Sequence, residues 1–384
     1  MARILVNALA MGTAGGRTYA YNLLKSFAQS SRAHEYDILL RRNQVARFSG
    51  LASGRVTILP DSYKVPERLW GRMLWEQLVL PSIVRRRDTD VLVSMGSVDA
   101  FLASAVTPVR SVVVVQLNQP WMVPHVLPSK LRVAFINAGV KLSARTADHF
   151  VVMSETAKRE LCRIFGIEPS RVSVVYHGVA HELFSPKARA GRAVLHRYGI
   201  VKPYILSVSS ISTFKNYHRL VEAYAIVRTK RSNAPRLVLA GQVKHKSYHA
   251  ELEELIGSLG LQESVQLLGR VPHEDLPAIY SNAELYVFPS LCETFGLTQL
   301  EAMACGTPVI ASNVSVMPEI CGDAAEYFDP YVPAEIAEAV VGLISDEERR
   351  RQLVARGFRR VQAFSWQRTA QQTLDLLEEI THAG

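Results

Sequence analysis

The sequence has few cysteines and no long apolar run, and these absences exclude several classes of protein. The four cysteines form no C-x-x-C pair and no metal-binding spacing with histidine. They predict free thiols in a reducing compartment, and neither a disulfide framework nor a zinc site. No stretch of 18 apolar residues is present to span a membrane as a helix. The first residues, MARILVNALAMGT, carry one Arg and a short apolar run, which favours a first β-strand over a signal peptide. We therefore expect a cytoplasmic protein.

Negative charge is scarce in the first half of the chain. Residues 1–185 hold 23 Lys+Arg against 13 Asp+Glu, so they carry essentially the whole net charge of +9. No nucleic-acid-binding motif accompanies this excess, so we expect no nucleic-acid partner; an anionic membrane surface is the alternative. The segment Arg68–Arg87 mixes Arg, Trp and Leu. It could lie on lipid headgroups at the inner face of the membrane, or Trp70, Leu74 and Leu78 could face the core; both interpretations are open.

Strand-like runs alternate with helical periods along the whole chain, which predicts βαβ units and parallel sheets. Seven such runs precede the polar, basic segment SPKARAGRAVLHRYGIVKP, and five follow it. A length of 384 residues also suggests two domains. We predict α/β architecture with two doubly wound, Rossmann-like domains. The predicted ranges are 1–184, joined by a C-terminal helix over 365–384, and 200–364.

The segment Pro289–Pro308, PSLCETFGLTQLEAMACGTP, points most directly to a ligand. A strand, ELYVFPS, is followed by a polar loop, by Gly296, and by a short helix that Gly306 ends. Such a unit directs free backbone N–H groups and the positive end of a helix at the loop, where a diphosphate fits. Glu293 and Glu301 could then accept hydrogen bonds from hydroxyls on either side of it, one set on a sugar and one on a ribose.

The E-x(7)-E spacing, the FGL tripeptide and the continuation LEAMACGTPVIAS resemble glycosyltransferase family 4, the retaining GT-B enzymes that use nucleotide sugars, and in particular its bacterial surface-polysaccharide type. The resemblance implies two domains facing each other across a cleft, with the tail from Ser365 onward crossing back onto the first domain. It also implies the phosphate-clamping role for Lys215 in ISTFKNYHRL. The family commonly has Gly-Arg where this chain has Ser209-Ser210, so Arg17, Lys244 or Lys246 would have to replace the arginine.

Other predicted contacts come from the same resemblance. Gly15-Gly16, after the first strand, could bring the backbone close to a phosphate or an acceptor. Gln116 and Asn118 stand where many relatives carry a histidine, and they are the candidates for acceptor or sugar contacts. The predicted donor site contains ten residues: Gly15, Gly16, Lys215, Val271, Glu293, Phe295, Gly296, Leu297, Thr298 and Glu301.

No cofactor or metal is expected. An Asp-x-Asp pattern occurs at Asp88–Asp90, but it precedes a strand, at the opposite end from the carboxyl edge where such sheets bind ligands. His177, near the domain junction, is interpreted as structural.

The predicted activity is metal-independent, retaining transfer of a hexose, with mannose the family-based guess. A nucleoside diphosphate sugar is the donor, and Glu293 and Lys215 are the catalytic residues. The acceptor is a saccharide hydroxyl, on a lipid-linked carrier. Two alternatives remain open: a GT-B epimerase or phosphorylase, and a non-catalytic sugar-nucleotide-binding partner subunit.

Overall fold

The computed structural model describes residues 1–11, 14–29, 34–59, 65–67, 69–187 and 191–382. The chain forms two compact units. The first comprises residues 1–121, 129–178 and 366–384, and the second comprises residues 122–128 and 179–365. The segment 122–128, which sequence assigned to the first domain, groups with the second because Val123 packs against Leu291 and Cys292.

The first unit contains a parallel sheet of seven strands among its described residues, in the order β3-β2-β1-β4-β5-β6-β7. All seven match predicted runs. The strands are β1 (Arg3–Asn7), β2 (Glu35–Leu39), β3 (Val56–Ile58), β4 (Val91–Ser94), β5 (Arg110–Val114), β6 (His149–Val152) and β7 (Val172–Val174). The helices are α1 (Ala14–Gln29), α2 (Arg42–Phe48), α3 (Leu69–Leu78), α4 (Leu80–Arg86), α5 (Phe101–Val106), α6 (Gln119–Met122), which ends in the second unit, α7 (Lys130–Thr146) and α8 (Glu155–Phe165).

The second unit contains a parallel sheet of six strands among its described residues, in the order β10-β9-β8-β11-β12-β13. The strands are β8 (Tyr204–Val208), β9 (Arg236–Ala240), β10 (Val265–Gly269), β11 (Leu285–Phe288), β12 (Val309–Ser312) and β13 (Ala325–Phe328). The helices are α9 (Arg192–Arg197), α10 (Tyr217–Lys230), α11 (Lys246–Ser258), α12 (Leu276–Asn282), α13 (Leu297–Ala304), α14 (Met317–Cys321), α15 (Pro333–Ser345) and α16 (Glu347–Val361). The last helix of the chain, α17 (Trp366–His382), belongs to the first unit.

Burial explains why the strands read as continuous apolar runs. Every residue of β8, β11 and β12 is buried, as expected for parallel strands covered by helices on both faces. In the second unit, Leu237 and Leu239 of β9 point to one face and join Leu220 of α10 and Ile336 of α15 in a single apolar cluster. The sheets therefore hold their carboxyl edges rigidly, which positions the loops that follow.

Local signals fix several helix ends, including the predicted one at Gly306. The Ser154 side chain accepts a hydrogen bond from the Ala157 amide at the start of α8, and Gly166 ends that helix with φ +66°. At Gly306, φ is +76° and the amide bonds to the Met303 carbonyl. A left-handed residue is the common way to satisfy the last carbonyls of a helix.

The predicted return of the tail to the first unit is confirmed. Helix α17 packs on α1, and Thr369 donates a hydrogen bond to the Tyr176 carbonyl (2.7 Å). The His177 ring stacks on Tyr19, with ring centroids 4.7 Å apart, and lies 5.6 Å from the Trp366 ring. His177 is therefore part of the packing that holds the tail.

The structure decides one open interpretation and corrects two others. Trp70, Leu74 and Leu78 do not face the core, because they are 47%, 61% and 64% exposed; the core side of α3 is formed by other residues. Gly15 lies in the first turn of α1 rather than in the loop before it. Strand β13 was not among the strands predicted from the sequence.

Among the described residues, no helix is both long and apolar enough to cross a membrane.

The burial of His177 predicts a pH-dependent stability. Burial lowers the pKa of His177 to about 3, whereas an unfolded histidine titrates near pH 6.5. Below pH 6.5 the unfolded chain therefore binds a proton that the folded chain excludes, and stability falls as pH falls. Between pH 7 and pH 5 the free energy of unfolding should drop by about 2 kcal/mol from this group alone.

Denaturant unfolding at the two pH values measures this drop. In His177→Phe, which keeps an aromatic ring against Tyr19 and Trp366, the drop should be smaller by that amount. An equal drop in wild type and variant would show that His177 is not the group responsible.

Candidate active site

The candidate site of the second unit lies where three neighbouring strands end. Strands β8, β11 and β12 pair in parallel, so their carboxyl ends share one edge of the sheet. The loop after β8 leads to Lys215, and the loop after β11 leads to Glu293 and Gly296. The carboxyl edge is where open α/β sheets bind ligands.

Lys215 and Glu293 are brought into direct contact. The Lys215 ammonium donates a hydrogen bond to Oε1 of Glu293, and Ser290 donates a second to the same oxygen (2.7 Å). Both charged side chains are largely buried, 13% and 11% exposed. The ammonium also lies over the rings of Phe214 and Phe288, 5.1 and 5.4 Å from their centroids. Burial and the two aromatic rings strengthen the ion pair, because opposite charges attract more strongly away from water.

The two loops that carry this pair are tied together by backbone and side-chain bonds. Asn216 donates from its side-chain amide to the carbonyls of Pro289 (3.0 Å) and Pro330 (2.7 Å). The Leu291 amide donates to the Phe214 carbonyl (2.9 Å), and the Glu293 amide donates to the Ser315 hydroxyl (3.2 Å). Hydrogen bonds between neighbouring loops therefore hold Lys215 and Glu293 in place.

Gly296 starts α13 in a conformation that suits glycine, with φ +87°. Helix α13 then points its first amides, at Leu297 and Thr298, toward the loop. The Thr298 hydroxyl accepts a hydrogen bond from Tyr286 (2.8 Å), which orients the first turn. Phe295 is buried and packs edge-on against Phe364. Phe295 therefore anchors the loop, while the amides of Leu297 and Thr298 remain at the positive helix end, which suits an anion.

Glu301 lies one turn into α13 and is buried. Tyr280 donates its hydroxyl proton to Oε2 of Glu301 (3.1 Å), and Nε2 of His273 lies 3.6 Å from Oε1. Burial, and the Glu301 charge beside it, raise the pKa of Tyr280 well above its ordinary value, so Tyr280 stays protonated and donates. The carboxylate is thus fixed from one side, with the half-exposed His273 on the other.

Sequence reasoning missed Ser290, Tyr280 and His273 as members of this site. Ser290 could have been found as the residue three positions before Glu293 at the end of a buried strand. Tyr280 lies on α12, which reads only as a structural helix, so its contact with Glu301 needs the fold. His273 follows the predicted Val271, which lies beyond β10 at the same carboxyl edge of the sheet.

The predicted contacts of the first unit lie elsewhere on its own sheet. Gln116 and Asn118 follow β5 at its carboxyl end. Gln116 is half-buried, and its backbone N–H donates to the Ser97 hydroxyl (2.9 Å). Asn118 is buried and its side chain reaches Glu160 (3.4 Å). Gln116 is therefore the better placed of the two for a ligand contact.

In the same unit, Gly16 is buried in the first turn of α1, whereas Gly15 is exposed. Both remain predicted contacts.

The loop after β8 contains Ser209-Ser210, the pair that occupies the place of the Gly-Arg expected from the family resemblance. The amides of Lys244 and His245 both bond to the Ile211 carbonyl, at 3.0 and 3.3 Å. The Lys244 backbone thereby lies beside Ile211, the residue that follows Ser209-Ser210, while Lys246 is the first residue of α11.

The Asp-x-Asp pattern lies at the amino end of β4. The Asp90 carboxylate accepts a hydrogen bond from the Arg3 amide (2.7 Å), which joins two strand starts. Within the described part of the chain, no group of three or more His, Cys, Asp or Glu side chains is arranged to hold a metal.

Gly296→Ala should weaken donor binding. A Cβ at this position would lie 2.8 Å from Nε2 of Gln299, a fully buried side chain, and the backbone would be strained at φ +87°. The first turn of α13 would have to move, which displaces the amides that are predicted to bind a diphosphate. We expect at least a tenfold weaker Kd for a nucleoside diphosphate in isothermal titration calorimetry.

Gly342→Ala is the matched control, because this glycine lies in α15 with no atom near its added Cβ. The control should bind the nucleotide as the wild type does. Equal affinities for all three proteins would show that the turn at Gly296 does not position the diphosphate.

Two parallel-sheet, Rossmann-like units and a carboxyl-edge site with a strand–glycine–helix turn define a GT-B fold. A model of the family described as "Glycosyltransferase Family 4" matches residues 13–183. One described as "Glycosyl transferases group 1" matches residues 199–360. The chain belongs to the family 4, group 1 glycosyltransferases.

Two curated relatives and one solved structure illustrate the similarity. The chain is 29% identical to O-antigen chain mannosyltransferase B of Escherichia coli over 64% of each chain. It is 32% identical to an MMP alpha-(1->4)-mannosyltransferase of Mycolicibacterium hassiacum over 62% of this chain and 56% of the relative. The alignments therefore span less than two thirds of these relatives. The structure of Anabaena HepE in complex with UDP and glucose superposes with a TM-score of 0.78 at 18% identity, covering 98% of this chain and all of the other.

Proposed function

We propose that the protein transfers a hexose, mannose in the first instance, from a nucleoside diphosphate sugar to a saccharide hydroxyl with retention of anomeric configuration. The observation that carries the proposal is the buried Lys215–Glu293 pair beside the amino end of α13, with Glu301 fixed one turn further on. The names of the mannosyltransferase relatives support the choice of sugar, and the sugar-nucleotide complex of HepE supports the choice of donor class.

Each residue has a separate role in this reaction. Glu301 accepts hydrogen bonds from the ribose hydroxyls, and the amides of Leu297 and Thr298 bind the diphosphate. Lys215 carries three N–H donors, so it can bind a phosphate oxygen while it keeps its bond to Glu293. Lys244 supplies the second positive charge in place of the missing arginine. These groups stabilise the negative charge that develops on the leaving diphosphate.

Bond changes follow from that placement. The bond between the sugar's anomeric carbon and the diphosphate oxygen breaks, and the electron pair leaves with the nucleoside diphosphate. The acceptor hydroxyl attacks from the same face, and its proton passes to the leaving phosphate oxygen. Glu293 binds sugar hydroxyls and stabilises the positive charge on the ring. The step needs neither a metal nor a cofactor, because Lys215, the helix end and Lys244 supply the charge.

The acceptor in this proposal is a saccharide on an anionic lipid carrier, and the enzyme works at the inner face of the membrane. The basic excess of the first half of the chain suits a phosphate-bearing acceptor. Gln116, at the carboxyl edge of the first unit, is the candidate side chain for the acceptor sugar.

The test is a transfer assay with a panel of sugar nucleotides and a lipid-diphosphate-linked saccharide. The proposal expects transfer from GDP-mannose in the presence of EDTA, with a product whose anomeric signal in NMR matches the donor configuration. An inverted product would overturn the mechanism. Release of a changed sugar nucleotide without an acceptor would point instead to an epimerase.

A further inference from the structure

Helix α3 presents an apolar stripe to solvent. Trp70, Leu74 and Leu78 recur every four residues and are exposed to solvent, whereas Arg72 and Glu76 between them are buried. Met73 of the same helix is buried and Trp75 packs against the core, so α3 carries apolar side chains on its outer side as well as its inner side, unlike an ordinary surface helix. A helix that exposes its large apolar side chains marks an interaction surface.

The stripe continues onto two neighbouring helices. Leu102 and Val106 of α5 and Leu131 of α7 are also exposed. Six of the large apolar side chains exposed in the described chain thus lie on α3, α5 and α7. We name the outward side of these helices, together with α4, the basic apolar face.

Direct contacts join the four helices into one surface. The Trp70 ring lies 3.9 Å from the Phe135 ring of α7, centroid to centroid. The Leu102 amide of α5 donates to the side chain of Gln77 on α3 (3.1 Å). Arg85 of α4 donates to the Val106 carbonyl (2.7 Å). The helices that carry the exposed apolar residues are therefore neighbours in one layer.

The exposed charges on these helices are all positive. Helices α3, α4, α5 and α7 carry seven Lys or Arg residues and a single acid, Glu76. Six of the basic residues are exposed: Arg85, Arg86, Lys130, Arg132, Lys141 and Arg145. Glu76 is turned inward, where it lies 3.7 Å from Arg72 and accepts a hydrogen bond from Asn7 (3.2 Å). The face has no exposed carboxylate among its helices to repel an anionic surface.

We propose that the basic apolar face docks the protein on an anionic lipid bilayer. The Trp and Leu side chains enter the boundary between headgroups and acyl chains, and the surrounding Lys and Arg residues pair with lipid phosphates. A protein partner would be expected to meet charges of both signs at the rim, since interface rims are mixed and polar. The inference agrees with the lipid-linked acceptor proposed above, which it deepens by assigning the surface that meets the membrane.

Vesicle flotation tests the inference independently of the reaction. We expect wild-type protein to float with phosphatidylcholine–phosphatidylglycerol vesicles and not with phosphatidylcholine alone. Leu74→Glu/Leu78→Glu should weaken the apparent vesicle affinity at least tenfold, since it replaces two inserted apolar groups by charges. Arg86→Gln/Lys141→Gln/Arg145→Gln should weaken it by about fivefold per residue, and added inorganic phosphate should compete poorly.

Val201→Glu/Leu259→Glu is the matched control, because both side chains are exposed on the second unit; it should float as the wild type does. Absence of wild-type flotation, equal flotation with neutral vesicles, or equal flotation of the Leu74/Leu78 variant would overturn the inference. So would a wild-type dimer in light scattering that Leu74→Glu/Leu78→Glu abolishes, because the face would then join two copies. The charge-only variant guards against misfolding, because its exposed side chains carry no core packing.

Transfer assays and flotation test the proposed reaction and the proposed docking surface separately. Transfer to a short, water-soluble acceptor should be unchanged in Leu74→Glu/Leu78→Glu. Flotation without any transfer would count against the proposed reaction alone, and transfer without flotation would count against the docking alone.

Discussion

Glu293→Gln is expected to lower kcat by about a thousandfold while the nucleoside diphosphate still binds. The substitution keeps the volume of the side chain and an oxygen for Ser290, but it removes the negative charge that faces the sugar ring in the proposed reaction. A group that stabilises charge only in the transition state affects kcat far more than binding of the leaving nucleotide. Steady-state transfer kinetics and calorimetry with the nucleoside diphosphate measure the two quantities.

Glu263→Gln is the control for this prediction, because Glu263 is an exposed glutamate of the same unit. It should transfer sugar at the wild-type rate. If Glu293→Gln retains kcat within tenfold of wild type, Glu293 does not stabilise the reacting sugar and the assignment of its role is wrong.

Lys215→Met is expected to lower both stability and donor affinity, and the second effect separates its functional role from its structural one. Removing the ammonium leaves Glu293 buried without its charge partner, which typically costs about 3–5 kcal/mol of stability. The double variant Lys215→Met/Glu293→Gln removes both charges and should recover most of that loss. Donor affinity should not recover, because a charge-assisted hydrogen bond of about 1.5–3 kcal/mol to the diphosphate is still absent.

The exposed pair Lys230–Glu338, 4.0 Å apart on the same unit, provides the control. Its double variant, Lys230→Met/Glu338→Gln, should change stability by less than about 1 kcal/mol and leave nucleotide affinity unchanged. Recovery of nucleotide affinity together with stability in Lys215→Met/Glu293→Gln would mean that Lys215 serves the fold and does not touch the diphosphate.

The fold could be predicted largely from sequence because its strands are buried on both faces. Runs such as YILSV and LYVF are continuously apolar and flanked by turn residues, and all the strands of the first sheet were found. Strand β13, Ala325–Phe328, was missed because its sequence AEYF interrupts the apolar pattern with a half-buried Glu326. It also lacks the β-branched residues that mark the short edge strands β3 and β7, so propensity alone does not reveal it.

The site could be predicted where one segment holds its residues and not where packing brings them together. Glu293, Gly296 and Glu301 lie within a single strand–loop–helix unit, so their spacing was readable. The support from Tyr280 and His273 comes from other elements, and no local pattern reports it. The stripe Trp70, Leu74 and Leu78 shows the limit of periodicity, because a repeat of four identifies a helix face but not whether that face is inside or outside.

Binding of nucleoside diphosphates tests most directly whether the protein has a donor site. Thermal shifts of the wild type with UDP, GDP, dTDP and ADP, with and without magnesium, would report whether the second unit holds a donor site. We predict a specific shift from one diphosphate that magnesium does not change and that Glu301→Ala abolishes, since the proposed role of this carboxylate is to bind the ribose. If none of the four nucleotides gives a shift, or if Glu301→Ala shifts as the wild type does, the proposed donor site is wrong.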